Sequence, residues 1–389
     1  MKFLITTLGC KVNQHDSDVL AAGLSALGWQ AVAEGDNAEV CVVNTCTVTR
    51  RASMQSRQLI RQLQRAHPGA RIVVTGCYAQ IAPEEISAVG GVQAIVGRDL
   101  KARLPEIIVN AAANPGTGIW PPPDQPWAGA ALAAMPPAAT GTRTRPFLKI
   151  QDGCNSFCTY CIVPYARGRS RSLSPAGVLE HMRQLGGMGY REVVLTGIHL
   201  GAYGLDLSPP THLLALLEAI EAEQPVARVR LSSIEPNELT EDMIDLVASS
   251  DMFCPHFHLP LQSADDAILK RMHRPYSRDL FRQQVAAIKR RLPHAAVGAD
   301  ILVGFPGETQ EAFAHTAGLL AELPLSYLHV FPFSPRPGNP AADYPDQIPP
   351  EVIKKRTAEI RAVGADKKAA FMGRAVGRRE TVLVETRRD

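Results

Sequence analysis

The sequence predicts an α/β protein in two blocks, an N-terminal doubly wound parallel sheet followed by a partial (β/α)6 barrel. Two observations carry this. Short apolar runs recur along the 389-residue chain with helical patterns between them, as in parallel strands joined by crossovers. One Pro-, Gly- and Ala-rich stretch, residues 112–142, breaks the alternation and reads as an extended linker.

In the first block, residues 1–111, FLITT (3–7) is the first predicted strand, and a helical pattern follows over 14–27. EVCVVN (39–44) is the second strand, backed by a polar, arginine-rich helix over 49–66. RIVVTG (71–76) and QAIVG (93–97) are the third and fourth.

In the second block, residues 143–373, the strands are FLKIQ (147–151), EVVLTG (192–197), RVRLSS (228–233), HFHLPL (256–261), AVGADILVGF (296–305) and SYLHVFPF (326–333). Helical patterns intervene, for example over 175–185, 212–223 and 279–291, and a last helix covers 351–372. Six β/α repeats place chemistry at the carboxyl ends of the strands. Residues 374–389 read as the truncated start of a third domain, with RRETVLVE (378–385) as a strand that lacks partners.

A content of 46% hydrophobic and 20% charged residues is that of a soluble globular protein with real cores. The net charge of +3 does not mark a nucleic-acid binder, but the arginines are bunched, and local patches matter more than the total. No apolar run reaches the length of a membrane span, because Pro136 and Pro137 break the Ala-rich stretch. MKFLITTLGC has one lysine and too short an apolar run for an export signal. The expected location is the cytoplasm, where eight cysteines serve as ligands or catalysts rather than disulfides.

Cys154, Cys158 and Cys161 stand at C-x3-C-x2-C spacing directly after the first barrel strand, so one loop holds three thiolates at the barrel mouth. A zinc site needs a further Cys or His pair at recognisable spacing, and none follows. A four-iron cube held by three cysteines keeps one iron open to a small chelating molecule. Cys10, Cys46 and Cys77 are dispersed, but each follows a predicted strand, at TLGC, VNTC and VTGC. In a parallel sheet such positions share one edge and converge. Gly9 and Gly76 beside them permit close backbone approach to a cluster. The alternative is three unrelated buried cysteines, the reading given to Cys41 and Cys254.

C-x3-C-x2-C with an aromatic, Tyr160, before the last cysteine resembles the radical S-adenosylmethionine (SAM) superfamily. With both triads the sequence resembles the methylthiotransferase family of that superfamily. The likeness runs through TLGCKVNQHDS, VVNTCTVT, VTGCYAQ, DGCNSFCTYCIVPYARGRSRS, LTGIHLGAYG, LSSIEP, HLPLQS and DILVGFPGE. TLGCKVNQ and CTYCIVPYARGRSRS are most similar to the members acting on N6-threonylcarbamoyladenosine in tRNA. Members acting on N6-isopentenyladenosine tend to read GCQMN, and those acting on a ribosomal-protein aspartate GCPKN, where this chain has GCKVN.

The resemblance implies two 4Fe–4S clusters, one on Cys154, Cys158 and Cys161 with SAM on its open iron, the other on Cys10, Cys46 and Cys77 with the sulfur to be donated. It implies an adenosyl radical that takes hydrogen from the substrate adenosine, a methylthio group entering at carbon 2, and an electron donor such as flavodoxin or ferredoxin. It also implies a small closing RNA-binding β-barrel (TRAM-like), of which RRETVLVE resembles the opening strand.

Tyr160, Gly197 in the loop after the second barrel strand, Glu235 and Gln262 at the ends of the third and fourth, and Gly304 and Gly307 after the fifth are the candidate SAM contacts. Each is equally readable as an ordinary turn residue. The expected partner is tRNA, with no membrane partner. Candidate phosphate contacts are Arg50, Arg51, Arg57, Arg61 and Arg65 on one helix, then Arg167, Arg169 and Arg171, Lys289 to Arg291, and Lys354 to Arg356. For any single cluster a solvated helix face is the plainer reading. The same chemistry on isopentenyladenosine or on a ribosomal protein, and a non-catalytic RNA-binding protein with zinc in both triads, are the competing functions.

Overall fold

The computed structural model describes residues 1–97, 103–113, 118–120 and 143–385. Two parallel α/β units stand side by side. The first contains β1 (Lys2–Thr7), α1 (Lys11–Ala26), β2 (Gln30–Ala31), β3 (Val40–Thr45), α2 (Arg50–Ala66), β4 (Arg71–Gly76), α3 (Cys77–Ile81), α4 (Pro83–Ser87), β5 (Ala94–Val96), α5 (Leu104–Ala113) and β6 (Gly118–Trp120). Its strands pair in parallel in the order β2-β1-β3-β4-β5-β6.

Alternation along the strands explains the double winding. Cys41, Val43, Ile72 and Val74 pack with Ile60 and Leu63 of α2 on one face. Val40, Val42 and Val73 pack with Leu20 and Leu24 of α1 and Ile108 of α5 on the other. The expected linker begins inside α5 and contributes β6 at the sheet edge, and the rest of it lies outside the described residues.

The second unit runs β7 (Phe147–Lys149), β8 (Gln151–Asp152), α6 (Val163–Arg167), β9 (Arg171–Ser172), α7 (Pro175–Gly187), β10 (Glu192–Thr196), α8 (Leu213–Glu223), β11 (Arg228–Leu231), α9 (Glu241–Ser249), β12 (His256–Gln262), α10 (Asp266–Arg271), α11 (Arg278–Arg291), β13 (Ala296–Val303), α12 (Gln310–Glu322), β14 (Tyr327–Pro332) and α13 (Pro350–Gly373). Two parallel three-stranded sheets, β7-β10-β11 and β12-β13-β14, are joined by single bridges from Val229 to Phe253 and from Ser233 to His258. The result is a six-stranded open barrel. Val193, Leu195, Val229, Leu231, Phe257, Leu259 and Leu261 alternate outward into the core under the helices. The alternate positions, Glu192, Val194, Arg228, Arg230, His256, His258 and Pro260 among them, turn to the lumen.

The N-terminal unit meets both edges of this open barrel. His15 Nδ1 lies 2.7 Å from the Phe147 carbonyl oxygen beside β7. Past β14, Arg336 donates to Thr47 Oγ1 and the Arg50 N–H donates to Ser334 Oγ. The strand expected over 378–385 is not formed among the described residues. That segment has no ladder to join, and is tied down by Glu385 on Arg145 (2.6 Å) and by the Thr381 carbonyl on Arg228 (3.4 Å).

Candidate active site

The first triad gathers at the carboxyl edge of the N-terminal sheet. Cys10 caps α1, Cys46 follows β3, and Cys77 opens α3 directly after β4. Two glycines draw these loops together. At Gly9 (φ +103°) a β-carbon would stand 2.9 Å from Cys46 Cβ and 3.0 Å from its Sγ. At Gly76 (φ +98°) it would stand 2.4 Å from the Thr45 carbonyl oxygen. The clearance that the sequence suggests for a cluster is thus clearance for neighbouring strand ends. Cys46 and Cys77 are buried and Cys10 is exposed. Burial pushes the Cys46 thiol up to about 11, and nearby Cys77 and Cys10 push the same way.

The second triad rims the barrel mouth. Gly153 (φ +79°) turns the chain after β8, and the Cys154 N–H donates to the Gly168 carbonyl (2.9 Å). Burial pushes Cys161 up to about 12 and raises Cys158. Burial acts the same way on Cys154, but His199 Nδ1 at 3.6 Å and the Ser156 N–H at 3.4 Å hold that thiol below its ordinary value. His199 Nε2 is oriented in turn by Glu238 Oε1 at 2.7 Å.

The other candidate contacts surround this mouth. The Tyr160 hydroxyl accepts from Arg274 (2.8 Å), whose guanidinium also donates to Glu235 Oε1 (2.7 Å). Gln262 ends β12 at a register shift with φ +64°. Gly197 abuts Gln151, whose Oε1 accepts the His199 N–H (2.8 Å). The close approaches allowed by Gly304 and Gly307 are to Ile353 of α13 and to Arg271.

Between the triads lies a group that the sequence reading missed. Arg167, read there as a phosphate contact, is 1% exposed. It donates to Asp152 Oδ1 (2.9 Å) and Asn13 Oδ1 and pairs with Asp16 (3.5 Å), facing Cys77 and Cys10. Arg356 is likewise buried, on Glu308 (2.9 Å), and Arg291 is paired with Glu241 and Asp245. Arg167 and Arg356 stand among other basic and polar residues, in ARGRSR and KKRT, which gives no sequence sign of burial. Arg50, Arg51, Arg61, Arg65 and Arg169 remain exposed.

Both triads fit an iron–sulfur cluster better than a single ion. Cys41 and Cys254 are buried away from them, so each site offers three thiols. Among the described residues the one His/Cys/Asp/Glu group with ligand atoms within 4.8 Å of one another is His258, Asp300 and His329, so neither triad is drawn in tightly enough for one zinc. Burial disfavours the free thiolates of Cys46, Cys158 and Cys161, and iron held there would supply the compensating charge. Among the described residues Glu235 Oε2 and Glu238 Oε2 are buried without a hydrogen-bond partner, acceptors suited to the amino and hydroxyl donors of a ligand such as SAM.

Comparison with known proteins agrees with this geometry. Residues 2–97 match the uncharacterized protein family UPF0004, and residues 148–320 match the radical SAM superfamily. The threonylcarbamoyladenosine tRNA methylthiotransferase MtaB of Bacillus subtilis is 39% identical over 92% of this chain and 79% of its own length. The chain belongs to the radical SAM methylthiotransferase family. A tRNA-2-methylthio-N(6)-dimethylallyladenosine synthase of Pelotomaculum thermopropionicum is 35% identical to this methylthiotransferase over 100% of the chain and 87% of its own. The fold extends to TsrM, a radical SAM methyltransferase of Kitasatospora setae solved with cobalamin and a 4Fe–4S cluster. Its TM-score is 0.61 at 18% identity, covering 88% of this chain and 77% of that one. No helix among the described residues of the methylthiotransferase is long and apolar enough to cross a membrane.

Proposed function

We propose that this methylthiotransferase adds a methylthio group to carbon 2 of N6-threonylcarbamoyladenosine beside the tRNA anticodon. Cys154, Cys158 and Cys161 hold one 4Fe–4S cluster with SAM, Cys10, Cys46 and Cys77 hold a second, and a flavodoxin- or ferredoxin-type protein supplies electrons. The observation that carries the reading is Arg167. It ends the short helix after Cys161 and donates to Asn13 of the helix that Cys10 caps, which supports reading the two three-thiol sites as neighbours. For the substrate, support comes from the GCKVN motif and from the name of the B. subtilis relative.

When bound, the reduced cluster with SAM supplies a carbon radical able to take hydrogen from a position with no acidic proton. The chain supplies the setting. Glu235 and Glu238 present acceptors to the bound cofactor, and Arg274 fixes Glu235 against Tyr160. The buried Arg167, Asp152, Asp16 and Lys149 group ties the two units together at their joint. The exposed arginines of α2 and Arg169 give salt-dependent contacts to RNA phosphates.

The test is anaerobic reconstitution with iron and sulfide analysis, followed by nucleoside mass spectrometry of tRNA from a deletion strain. Loss of the methylthio form of threonylcarbamoyladenosine alone supports the reading. Loss of the isopentenyladenosine product instead moves the substrate, and zinc without sulfide rejects the enzyme reading.

A further inference from the structure

The barrel lumen is built of charged and aromatic polar side chains on β10, β11, β12, β13 and β14. The register of β10 with β11 pairs Glu192 with Arg228 and Val194 with Arg230, and strand alternation turns Glu192, Arg228 and Arg230 inward. The Glu192 carboxylate, 2% exposed, takes three guanidinium groups: Arg230 at 2.9 Å, Arg228 at 3.2 Å and Arg145 at 3.4 Å. Arg145 has a second carboxylate in Glu385, and Arg228 also reaches Cys254 Sγ at 3.5 Å.

Arg230 is different. It spends only Nε on Glu192, and its two terminal nitrogens have no acceptor among the described residues. Lys11, the first residue of α1, follows Cys10 on the helix that meets the β7 edge of the barrel through His15. Its ammonium makes no ion pair among the described residues, and Arg145, Arg230 and Asp300 are among the charges that act on it. The facing wall is closed on itself. Asp300 Oδ1 takes His258 Nε2 (2.9 Å) and His329 Nδ1 (3.2 Å), and the Tyr327 hydroxyl bridges His256 Nε2 (2.8 Å) and His258 Nδ1 (3.0 Å). Cationic donors without an acceptor among the described residues therefore come into one neighbourhood from α1 and β11, while Asp300 Oδ1 on the facing wall already holds two histidines.

We propose that Lys11 and the terminal nitrogens of Arg230 bind the threonyl carboxylate of the substrate, with the N6 substituent lying in the lumen. The inference rests on the threonylcarbamoyladenosine reading and names the residues that select that base. A guanidinium edge and an ammonium suit a carboxylate. An isopentenyl group brings no acceptor and would cover these donors unpaired, the kind of mismatch that a site built for hydrogen bonding rejects strongly. Lys11 lies within GCKVN, so the residue that reads the carboxylate is held in place beside Cys10 of the first triad.

The test measures binding by reconstituted protein of anticodon stem-loop RNA carrying threonylcarbamoyladenosine, and of the same RNA with the threonyl carboxylate as its methyl ester. Wild type is expected to prefer the free carboxylate by about tenfold or more, one or two charge-assisted hydrogen bonds. Lys11→Gln and Arg230→Gln are expected to lose most of that preference while binding the ester RNA as wild type does, and Lys11→Arg to restore it. Lys11 is exposed, so its variant keeps the fold even if Arg230→Gln, which disturbs Glu192, does not. If both variants keep the preference while wild type thiolates the threonylcarbamoyl RNA, this inference fails and the function stands. If wild type thiolates only isopentenyl RNA, both fall.

Discussion

The Lys149 ammonium, on the first barrel strand, lies 2.6 Å from Asp16 Oδ1, on the first helix of the N-terminal unit. Lys149 also pairs with Asp152 at 3.0 Å, and Arg167 joins Asp152 and Asp16, so two cations and two carboxylates neutralise one another in a buried joint. Removing one member leaves an uncompensated buried charge. Asp16→Ala is expected to cost about 3 kcal/mol in urea unfolding. The double change Asp16→Leu with Lys149→Met is expected to cost less than Asp16→Ala alone, since it removes one charge of each sign.

The two triads make separable predictions about iron. Cys158→Ala is expected to lower reconstituted iron from about eight to about four per chain and to stop SAM cleavage. Cys46→Ala is expected to give the same iron loss, keep SAM cleavage and abolish thiolation. Iron and sulfide analysis with a 5′-deoxyadenosine assay checks both, and equal loss of cleavage in the two variants would reject the division of labour.

Legibility in the sequence followed the range of the interactions. The long strands of both blocks were readable to within a few residues because apolar runs such as VVNT and IVVTG are buried on both faces, whereas the two- and three-residue strands β2, β6 and β9 were not. The placement of Cys10, Cys46 and Cys77 at one sheet edge was readable because it is a consequence of parallel topology. Arg167 was not, since its burial depends on Asp16 and Asn13, about 150 residues away in sequence. The lumen escaped for a similar reason. His256, His258, Asp300 and His329 have no common spacing, and only strand alternation turns them toward one space. Gly304 and Gly307 show the opposite case, where a motif located the turn correctly while its glycines answer to Ile353 and Arg271.

Gly153 gives a sharp backbone test. A β-carbon there would stand 2.0 Å from the Arg169 carbonyl oxygen, at φ +79°. Gly153→Ala is expected to destabilise the protein by about 2 kcal/mol or more and to reduce iron at the adjacent triad, through both strain and displacement of the Arg169 segment. Gly187, the last residue of α7, meets nothing within 4 Å and has no positive φ, so Gly187→Ala is expected to be neutral or slightly stabilising. Parallel denaturation curves and iron analysis of the two variants separate a local steric requirement from a general intolerance of change.

Asp18 predicts a pH-dependent term at the same joint. Burial raises its carboxyl from 3.8 to about 6, and Arg143 at 3.7 Å offsets only part of that. The folded value lies above the unfolded one, so the folded state holds the proton more tightly. Below about pH 3 the group is neutral in both states and contributes nothing. As pH rises from about 3 to about 6 the unfolded chain ionises first, and stability falls; above that window the buried carboxylate costs on the order of 3 kcal/mol. Asp18→Asn is therefore expected to be more stable than wild type at pH 8 by about that amount and equal to it near pH 3. Urea unfolding of both proteins at the two pH values measures the difference. A variant weaker than wild type at pH 8 would mean that the Arg143 pair outweighs the burial of the carboxylate.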